Sequence, residues 1–290
     1  MRALVVGAGG QLGRELVAEL GDELAWSGTR EEFDVTQPDA VAAALERVRP
    51  DVVFNAAAYN RVDRAEVEPG RAFEVNALAA RSLALAARER GARLVHFSTD
   101  YVFDGRSDRP YREDDCPHPL GCYAISKLSG ELLVAAAGEE HLIVRTSGVL
   151  AAGGSRQKGG SFVDRILAQA REGRALRVVS DQTFAPTVAR DLARAAVALA
   201  RAGTRGLVHV TNEGACTWHE LASAALSLAG IEARVEAVTA ADLGLAAPRP
   251  AFSVLDTGLY RSLGLVPLRP WREALAECLS GATAVPPASD

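Results

Sequence analysis

The sequence predicts an α/β protein with a doubly wound, parallel sheet of the Rossmann type and a smaller C-terminal α/β domain that binds the substrate. Short apolar runs alternate with longer amphipathic segments from Arg2 to Arg145, which is typical of βαβ units. A glycine-rich turn directly follows the first apolar run. The 290 residues, 48% of them hydrophobic, are enough for one large or two smaller domains.

The individual elements follow from this alternation. Strands are predicted at 2–6, 24–27, 52–55, 94–98 and 142–145. Helices are predicted from about 11, from near 38, over 70–90 and over 122–137. The pattern then becomes less regular, with helices expected at 162–171, 188–201, 217–229 and 271–279 and strands at 176–179 and 207–211. Thr217 has the residue type of a helix N-cap.

These elements divide into two predicted domains and a tail. The nucleotide-binding domain is expected to comprise 1–147 and about 187–211. The substrate-binding domain is expected to comprise 148–186 and 212–280, and 281–290 reads as a loose tail.

Composition narrows the functional classes. A formal charge of −5 and a pI near 5.7 argue against a nucleic-acid-binding surface. No apolar run reaches the roughly 20 residues of a membrane helix, and the chain starts directly with a strand, so we expect a cytoplasmic protein with no membrane partner. Cys116, His118 and Cys122 lack a fourth ligand at a usual spacing, so no metal site is expected.

The turn after the first strand contains Gly7, Gly10 and Gly13 and leads directly into a helix. Glycines allow a pyrophosphate to approach the backbone closely, and the free N–H groups and dipole of the helix favour its negative charge. Strand, turn and helix in this order predict a dinucleotide site.

Arg30 indicates the type of dinucleotide. An NAD-binding protein usually places an acid after the second strand, whereas this chain has Arg30, which could pair with a 2′-phosphate. NADPH is therefore favoured, with NADH as the alternative, and an ordinary surface arginine is the competing interpretation. Asp34 could meet the adenine or could cap the helix that starts near Pro38.

Tyr123 and Lys127 form the candidate reacting centre. Only two of the 32 basic residues are lysines, and Lys127 lies four residues after Tyr123 in a helical segment, on the same helix face. An ammonium group near a phenol favours the phenolate, so Lys127 is expected to lower the pKa of Tyr123. Thr99 ends a strand at the same sheet edge as the glycine turn. Together the three side chains suit proton transfer at a carbonyl group while a nicotinamide supplies hydride.

Several motifs in combination resemble the dTDP-4-dehydrorhamnose reductase family of the extended short-chain dehydrogenase/reductase superfamily. They are NAAAYNRVDRAE at 55–66, STDYVFDG at 98–105, RTS at 145–147, DQ at 181–182 with PT at 186–187, and RP at 249–250 with Ser253. The resemblance implies reduction of the C4 ketone of dTDP-4-dehydro-L-rhamnose, so a dTDP-sugar is the expected partner.

The resemblance also implies roles for individual residues. Tyr123 would donate the proton, Lys127 would lower its pKa and hold the nicotinamide ribose, and Thr99 would hydrogen-bond the reacting oxygen. Asp100, Gly148 and Arg249 would belong to the sugar side. The pyrophosphate would be cradled by Gly10, Gln11 and Leu12, and the adenosine side would be lined by Asp34, Val35, Ala56, Ala57 and Ala58.

Two departures from the family pattern affect the sugar site. Family members commonly have tryptophan where this chain has Gly148, so we expect a wider pocket unless the insertion at 153–160, which includes Lys158, closes it. Asn60 stands where threonine is frequent.

A third departure concerns assembly. Some members dimerise around Mg²⁺ held by acids, and Arg190 occupies a position that is acidic in those proteins, although Glu15 is present. We therefore expect no metal-bridged dimer, and a monomer or a weak homodimer.

Other functions share these motifs. Sugar-nucleotide dehydratases place Asp-Glu after the threonine, whereas Asp100 is followed here by Tyr101, which favours simple reduction. Another NDP-4-keto-6-deoxysugar reductase, an epimerase, and a non-catalytic regulator like the beta subunit of methionine adenosyltransferase remain alternatives. An intact set of Thr99, Tyr123 and Lys127 argues against the regulator.

Overall fold

The protein is represented by a computed structural model that describes residues 1–151 and 160–282. Within these ranges, no helix has both the length and the apolarity needed to cross a membrane. The strands of the first part are β1 (Ala3–Val6), β2 (Leu24–Gly28), β3 (Val52–Asn55), β4 (Arg93–Thr99) and β5 (Leu142–Thr146). The helices of this part are α1 (Gln11–Leu20), α2 (Pro38–Val48), α3 (Val62–Val67), α4 (Pro69–Phe73), α5 (Ala79–Glu89) and α6 (Cys122–Ala137).

The second part of the chain contains mostly short strands. They are β6 (Val149–Leu150), β7 (Leu176–Val179), β8 (Thr183–Phe184), β9 (Thr187–Val188), β10 (Gly206–His209), β11 (Cys216–Thr217) and β12 (Val235–Val238). The helices are α7 (Phe162–Arg171), α8 (Ala189–Arg201), α9 (Trp218–Leu228), α10 (Gly258–Ser262) and α11 (Trp271–Ala282).

In the described ranges, the central sheet has six parallel strands in the order β2, β1, β3, β4, β5, β10. The order runs outward in both directions from β1 and β3, which confirms the doubly wound fold that the sequence predicts. The carboxyl ends of β1 and β3 border the crevice in which such sheets bind their ligands.

Helices cover both faces of this sheet. On one face α1 and α8 bury Leu16 and Leu192, and on the other α2, α5 and α6 bury Leu45, Leu83 and Val134. Full burial of side chains of this size contributes about 2 kcal/mol each. The two cores therefore hold the strand ends in fixed positions at the candidate site.

A separate core stabilises the second lobe. Helices α7, α9 and α11 pack around Leu167, Phe184 and Leu221. The predicted N-cap is confirmed, because the Thr217 hydroxyl accepts a hydrogen bond from Glu220 N, and the Glu220 carboxylate accepts one from Thr217 N at 2.7 Å.

The predicted boundary of the second domain is wrong for one segment. We expected 212–280 to belong to the substrate-binding domain, but Tyr260 on α10 packs in the core of the nucleotide-binding domain. The predicted tail is also shorter at its start, because α11 continues to Ala282.

The single helix predicted over 70–90 is interrupted. Between α4 and α5 the chain forms a π-helical segment, Glu74–Leu78, centred on Asn76. The Asn76 side chain accepts from Tyr59 N at 2.8 Å and donates to Ser126 Oγ at 2.9 Å. These long-range hydrogen bonds explain why the helix is interrupted here. The amphipathic periodicity of the sequence does not reveal them.

Candidate functional site

The turn after β1 forms a close-fitting backbone cradle. Gly7 has a φ of +80°, and a Cβ atom there would lie 2.7 Å from Ala57 N. A Cβ atom on Gly13 would lie 2.1 Å from the Gly7 carbonyl oxygen. Only glycine fits at these two positions, so the turn, the loop that begins with Ala56 after β3, and the start of α1 pack directly together.

The first turn of α1 is suited to bind an anion. Gly10 is the N-cap, no side chain caps the helix, and its first turn contains no acidic residue. Gln11 and Leu12, the predicted pyrophosphate contacts, occupy the first two helical positions. The N–H groups and the helix dipole therefore present positive charge at the crevice between β1 and β3.

Residues after β2 and β3 form the predicted adenosine side. Asp34 accepts hydrogen bonds from Thr36 N at 3.0 Å and Thr36 Oγ1 at 2.7 Å, which are the main reason that the pKa of Asp34 lies below its usual value. The N-cap of α2 is Gln37, so the alternative that Asp34 caps this helix is wrong. Arg30 is exposed, and its charge also lowers the pKa of Asp34, whereas Val35 is buried.

The structure brings Thr99, Tyr123 and Lys127 together at the carboxyl end of β4. The Thr99 side chain hydrogen-bonds the Tyr123 phenol. Lys127 Nζ, on the next turn of α6, donates to the carbonyl oxygen of Phe97 at 2.5 Å, and the lysine is only 2% exposed. A hydroxyl, a phenol and an ammonium group thus lie close together at the end of β4.

Burial dominates the acid–base properties of this group. It raises the pKa of Tyr123 to about 12, against the opposing effect of the Thr99 hydrogen bond. The net shift of the Tyr123 pKa is therefore upward, because burial has the larger effect, and the lowering expected from Lys127, whose ammonium donates to the Phe97 carbonyl, stays a prediction. Burial also lowers the pKa of Lys127 to about 8, and the nearby Glu131 carboxylate opposes that shift.

Asp100, which is predicted to contact the sugar, lies beside Thr99. It is 2% exposed and accepts hydrogen bonds from Thr99 Oγ1 at 3.1 Å, Ser147 Oγ at 2.7 Å and Ser253 Oγ at 2.6 Å. Burial raises its pKa to about 6, and the three hydroxyl groups oppose the shift. Both carboxylate oxygens are engaged by groups of the protein itself.

Three side chains that the sequence did not single out hold the helix that carries Tyr123. Glu66 Oε1 accepts from Cys122 N at 2.8 Å, and Asn76 reaches the helix through Ser126. Glu131 forms a buried ion pair with Arg145 at 2.7 Å. Glu131 lies four residues after Lys127, so helical spacing could have found it, but Glu66 and Asn76 are more than 45 residues away and no local pattern marks them.

Tyr101 and Arg249 lie on the other side of Tyr123. The Tyr101 and Tyr123 rings pack edge to face, with centroids 6.2 Å apart. Arg249, a predicted substrate contact, donates to both carboxylate oxygens of Asp63, at 2.7 and 3.0 Å, and hydrogen-bonds Tyr101. The guanidinium is therefore anchored, and the two tyrosines and Pro250 line a narrow cleft.

The space into which a Cβ atom on Gly148 would project is filled, and the wider sugar pocket expected from the sequence stays a prediction. Gly148 has a φ of +49°, and a Cβ atom there would lie 2.3 Å from Phe184 Cε2. Phe184 is buried and stacks on Trp218, with ring centroids 4.1 Å apart. The insertion at 153–160, which includes Lys158, is predicted to close the sugar site. All of its residues except Gly160 lie outside the described residues.

Arg190 is the residue that is expected, from the family resemblance, to replace an acid of metal-bridged relatives. Its side chain lies 3.4 Å from Glu15 and 3.2 Å from Glu277, so it pairs with the acidic side chains of this surface. In the part of the chain that the structure describes, no group of three or more His, Cys, Asp or Glu side chains is placed to hold a metal.

A cavity of about 560 Å³ lies at the opposite end of the sheet and belongs to the scaffold. Its arginines complete helix ends, because Arg88 donates to Ala137 O and Arg93 donates to Ala200 O, each at 2.7 Å. The candidate site is therefore the edge that carries the glycine turn and Tyr123.

Comparisons with known proteins identify the family of this chain. The family model described as "RmlD substrate binding domain" matches residues 1–284. The dTDP-4-dehydrorhamnose reductase of Mycobacterium tuberculosis is 43% identical, over 96% of this chain and 92% of its own. A probable dTDP-4,6-dihydroxy-2-methyloxan-3-one 4-ketoreductase of Streptomyces antibioticus is 42% identical, over 96% and 94%. The crystal structure of the Bacillus anthracis dTDP-4-dehydrorhamnose reductase in complex with NADP superposes with a TM-score of 0.92 at 34% identity, covering 97% of this chain and 99% of that one.

Proposed function

This chain belongs to the RmlD substrate binding domain family, and we propose that it uses NADPH to reduce the C4 ketone of dTDP-4-dehydro-L-rhamnose to dTDP-L-rhamnose. Family membership confirms the resemblance and the oxidoreductase class that the motifs predict. The observation that carries the proposal is the convergence of Thr99, Tyr123 and Lys127 beside the glycine cradle.

The residues present fit a dinucleotide. Gly7 and Gly13 leave a cradle that any Cβ atom would fill, and the uncapped start of α1 offers N–H groups to a pyrophosphate. We assign the pyrophosphate to Gly10, Gln11 and Leu12. We assign the adenosine side to Asp34, Val35 and Ala56 to Ala58, and we place Arg30 next to the ribose. NADPH bound there supplies a hydride to C4 of the sugar.

The chain's own residues supply the proton and the orientation. With a pKa of about 12, Tyr123 is a neutral phenol at physiological pH, so it is in the form that can donate a proton to the reduced oxygen. Lys127, fixed by the Phe97 carbonyl, provides positive charge for the phenolate that forms. Thr99 orients the phenol, and Tyr101 with the anchored Arg249 borders the sugar.

The assay that tests this function follows NADPH oxidation with dTDP-4-dehydrorhamnose generated in situ and identifies the product. Formation of dTDP-L-rhamnose, abolished in Tyr123→Phe, is expected. Reduction of a different 4-keto-6-deoxysugar nucleotide would place the chain nearer to the Streptomyces antibioticus relative. An epimerase would return product without net NADPH consumption. Complete inactivity together with copurification of a synthetase would favour the regulatory alternative.

Arg30→Ala is expected to raise KM for NADPH about tenfold and to leave KM for NADH unchanged. The charge-assisted bond to the 2′-phosphate is lost, and NADH has no such group. Initial rates with each cofactor measure the effect, and Arg14→Ala at the other side of the turn provides a comparison. Equal changes for both cofactors would show that Arg30 does not read the 2′-phosphate.

A further inference from the structure

Asp100 is a carboxylate in an unusual environment. It is almost fully buried, and its described hydrogen-bond donors are three hydroxyl groups rather than a cation. These hydroxyls come from separate parts of the chain, because Thr99 ends β4, Ser147 follows β5, and Ser253 lies between β12 and α10. Keeping a buried carboxylate ionised costs free energy when its partners are neutral. This cost indicates that the charge of Asp100 has a role in the site.

The number of protons restricts what Thr99 can do. A hydroxyl group has a single proton, and Thr99 gives it to Asp100 Oδ1 at 3.1 Å. Tyr101 N donates to the Thr99 oxygen at 3.2 Å, which leaves one lone pair. The same Thr99 hydroxyl hydrogen-bonds the phenol of Tyr123. The ionised form of Asp100 thus holds the hydroxyl group that orients Tyr123.

The third hydroxyl connects Asp100 to segment 249–253. Ser253 N donates to Thr183 O at 2.9 Å, and Thr183 N donates to Ala251 O at 2.8 Å. Ser253 is therefore held in the segment that begins with Arg249, whose guanidinium contacts Tyr101. Through Ser253, the same carboxylate fixes this segment beside the reacting centre.

We propose that Asp100 is a positioning residue that fixes the Thr99 hydroxyl beside Tyr123 and anchors segment 249–253. The inference rests on the proposed reduction, because it gives Tyr123 the proton to be oriented. The titratable groups that sense Asp100 are the phenols of Tyr101 and Tyr123, and its charge raises the pKa of both.

Protonation of Asp100 would remove this control. A protonated carboxyl must donate to one of its neighbours, so at least one of the three hydroxyl bonds reverses or breaks. With a pKa of about 6 for Asp100, kcat is expected to fall as the pH decreases through this value. Asparagine cannot titrate, so this acid limb should be absent from the Asp100→Asn profile.

The first test compares Asp100→Asn with the parent protein on dTDP-4-dehydrorhamnose. We expect kcat to fall about tenfold or more, the acid limb near pH 6 to disappear, and the Kd for NADPH to stay within about twofold. A retained acid limb, or a loss of NADPH affinity as large as the loss in kcat, would overturn the proposal.

Single-hydroxyl variants test the anchor without removing the carboxylate. Ser253→Ala is expected to raise KM for the sugar nucleotide about tenfold with a smaller change in kcat, because it releases segment 249–253. Ser129→Ala is the matched control, since its exposed hydroxyl bonds only within α6, to Ile125 O. Equal KM values for the two variants would contradict the anchor.

A third measurement does not depend on turnover. The folded state raises the pKa of Asp100 above its ordinary value of 3.8, so the stability contributed by its proton is present at low pH and is lost as the pH rises through about 6. Relative to Asp100→Asn, the parent's urea midpoint should therefore fall between pH 4 and pH 7. A constant difference would refute the buried, titrating Asp100 even if the sugar substrate proved to be another one.

Discussion

Lys127→Arg is expected to reduce kcat about 10²- to 10⁴-fold, although arginine is the usual cation of this chain. Lys127 is 2% exposed, and its Nζ reaches the Phe97 carbonyl at 2.5 Å. A planar guanidinium is too large for this space and cannot place a compact charge near the phenol. Single-turnover rates of NADPH oxidation would measure the loss at the chemical step.

The converse exchange provides a matched control for this prediction. Arg81→Lys changes an exposed cation on α5 and should leave kcat unchanged. Circular dichroism and urea unfolding of Lys127→Arg separate a displaced group from a protein that fails to fold. If the folded variant keeps activity within a few-fold of the parent, Lys127 has no part in the mechanism.

The same lysine predicts an alkaline limit. Burial lowers its pKa to about 8, so the ammonium form is lost as the pH rises through this value. Because the phenolate that forms on Tyr123 needs this positive charge, kcat should decline above about pH 8 in the parent. A flat kcat from pH 7 to pH 10 would contradict the electrostatic role.

The sequence was sufficient where local patterns determine structure. Helix α6 has the predicted bounds, 122–137, and Tyr123 and Lys127 lie one turn apart on it, as their spacing predicts. The glycine turn was equally readable, because steric requirements at Gly7 and Gly13 are expressed in residue type itself.

Local sequence patterns were insufficient for properties that depend on residues distant in the chain. The sequence suggested that Lys127 controls the pKa of Tyr123, but burial by the surrounding protein has the larger effect. Likewise, nothing near Asp100 indicates that Ser253, more than 150 residues away, donates to its carboxylate. Burial and long-range hydrogen bonds depend on the packed fold, which spacing along the chain does not encode.

Gly148→Trp is expected to lower the free energy of unfolding by about 2–5 kcal/mol and to weaken sugar-nucleotide binding, which reverses the expectation from family resemblance alone. A φ of +49° costs a non-glycine residue about 1–2 kcal/mol, and forcing extra atoms into a packed region costs about 1–3 kcal/mol more. Here the first added atom would already lie 2.3 Å from the Phe184 ring. Urea unfolding and the KM for dTDP-4-dehydrorhamnose measure the two effects.

Two further variants divide this loss into its causes. Gly173→Ala adds a Cβ atom at a φ of +66° with no neighbour within 4 Å, so it should show the backbone strain alone. Gly148→Trp combined with Phe184→Ala removes the colliding ring, and it should recover part of the stability but not the strain at φ +49°. If Gly148→Trp alone is as stable as the parent and binds the sugar nucleotide more tightly, Phe184 does not fill the space beside Gly148, and the wider pocket expected from the sequence exists after all.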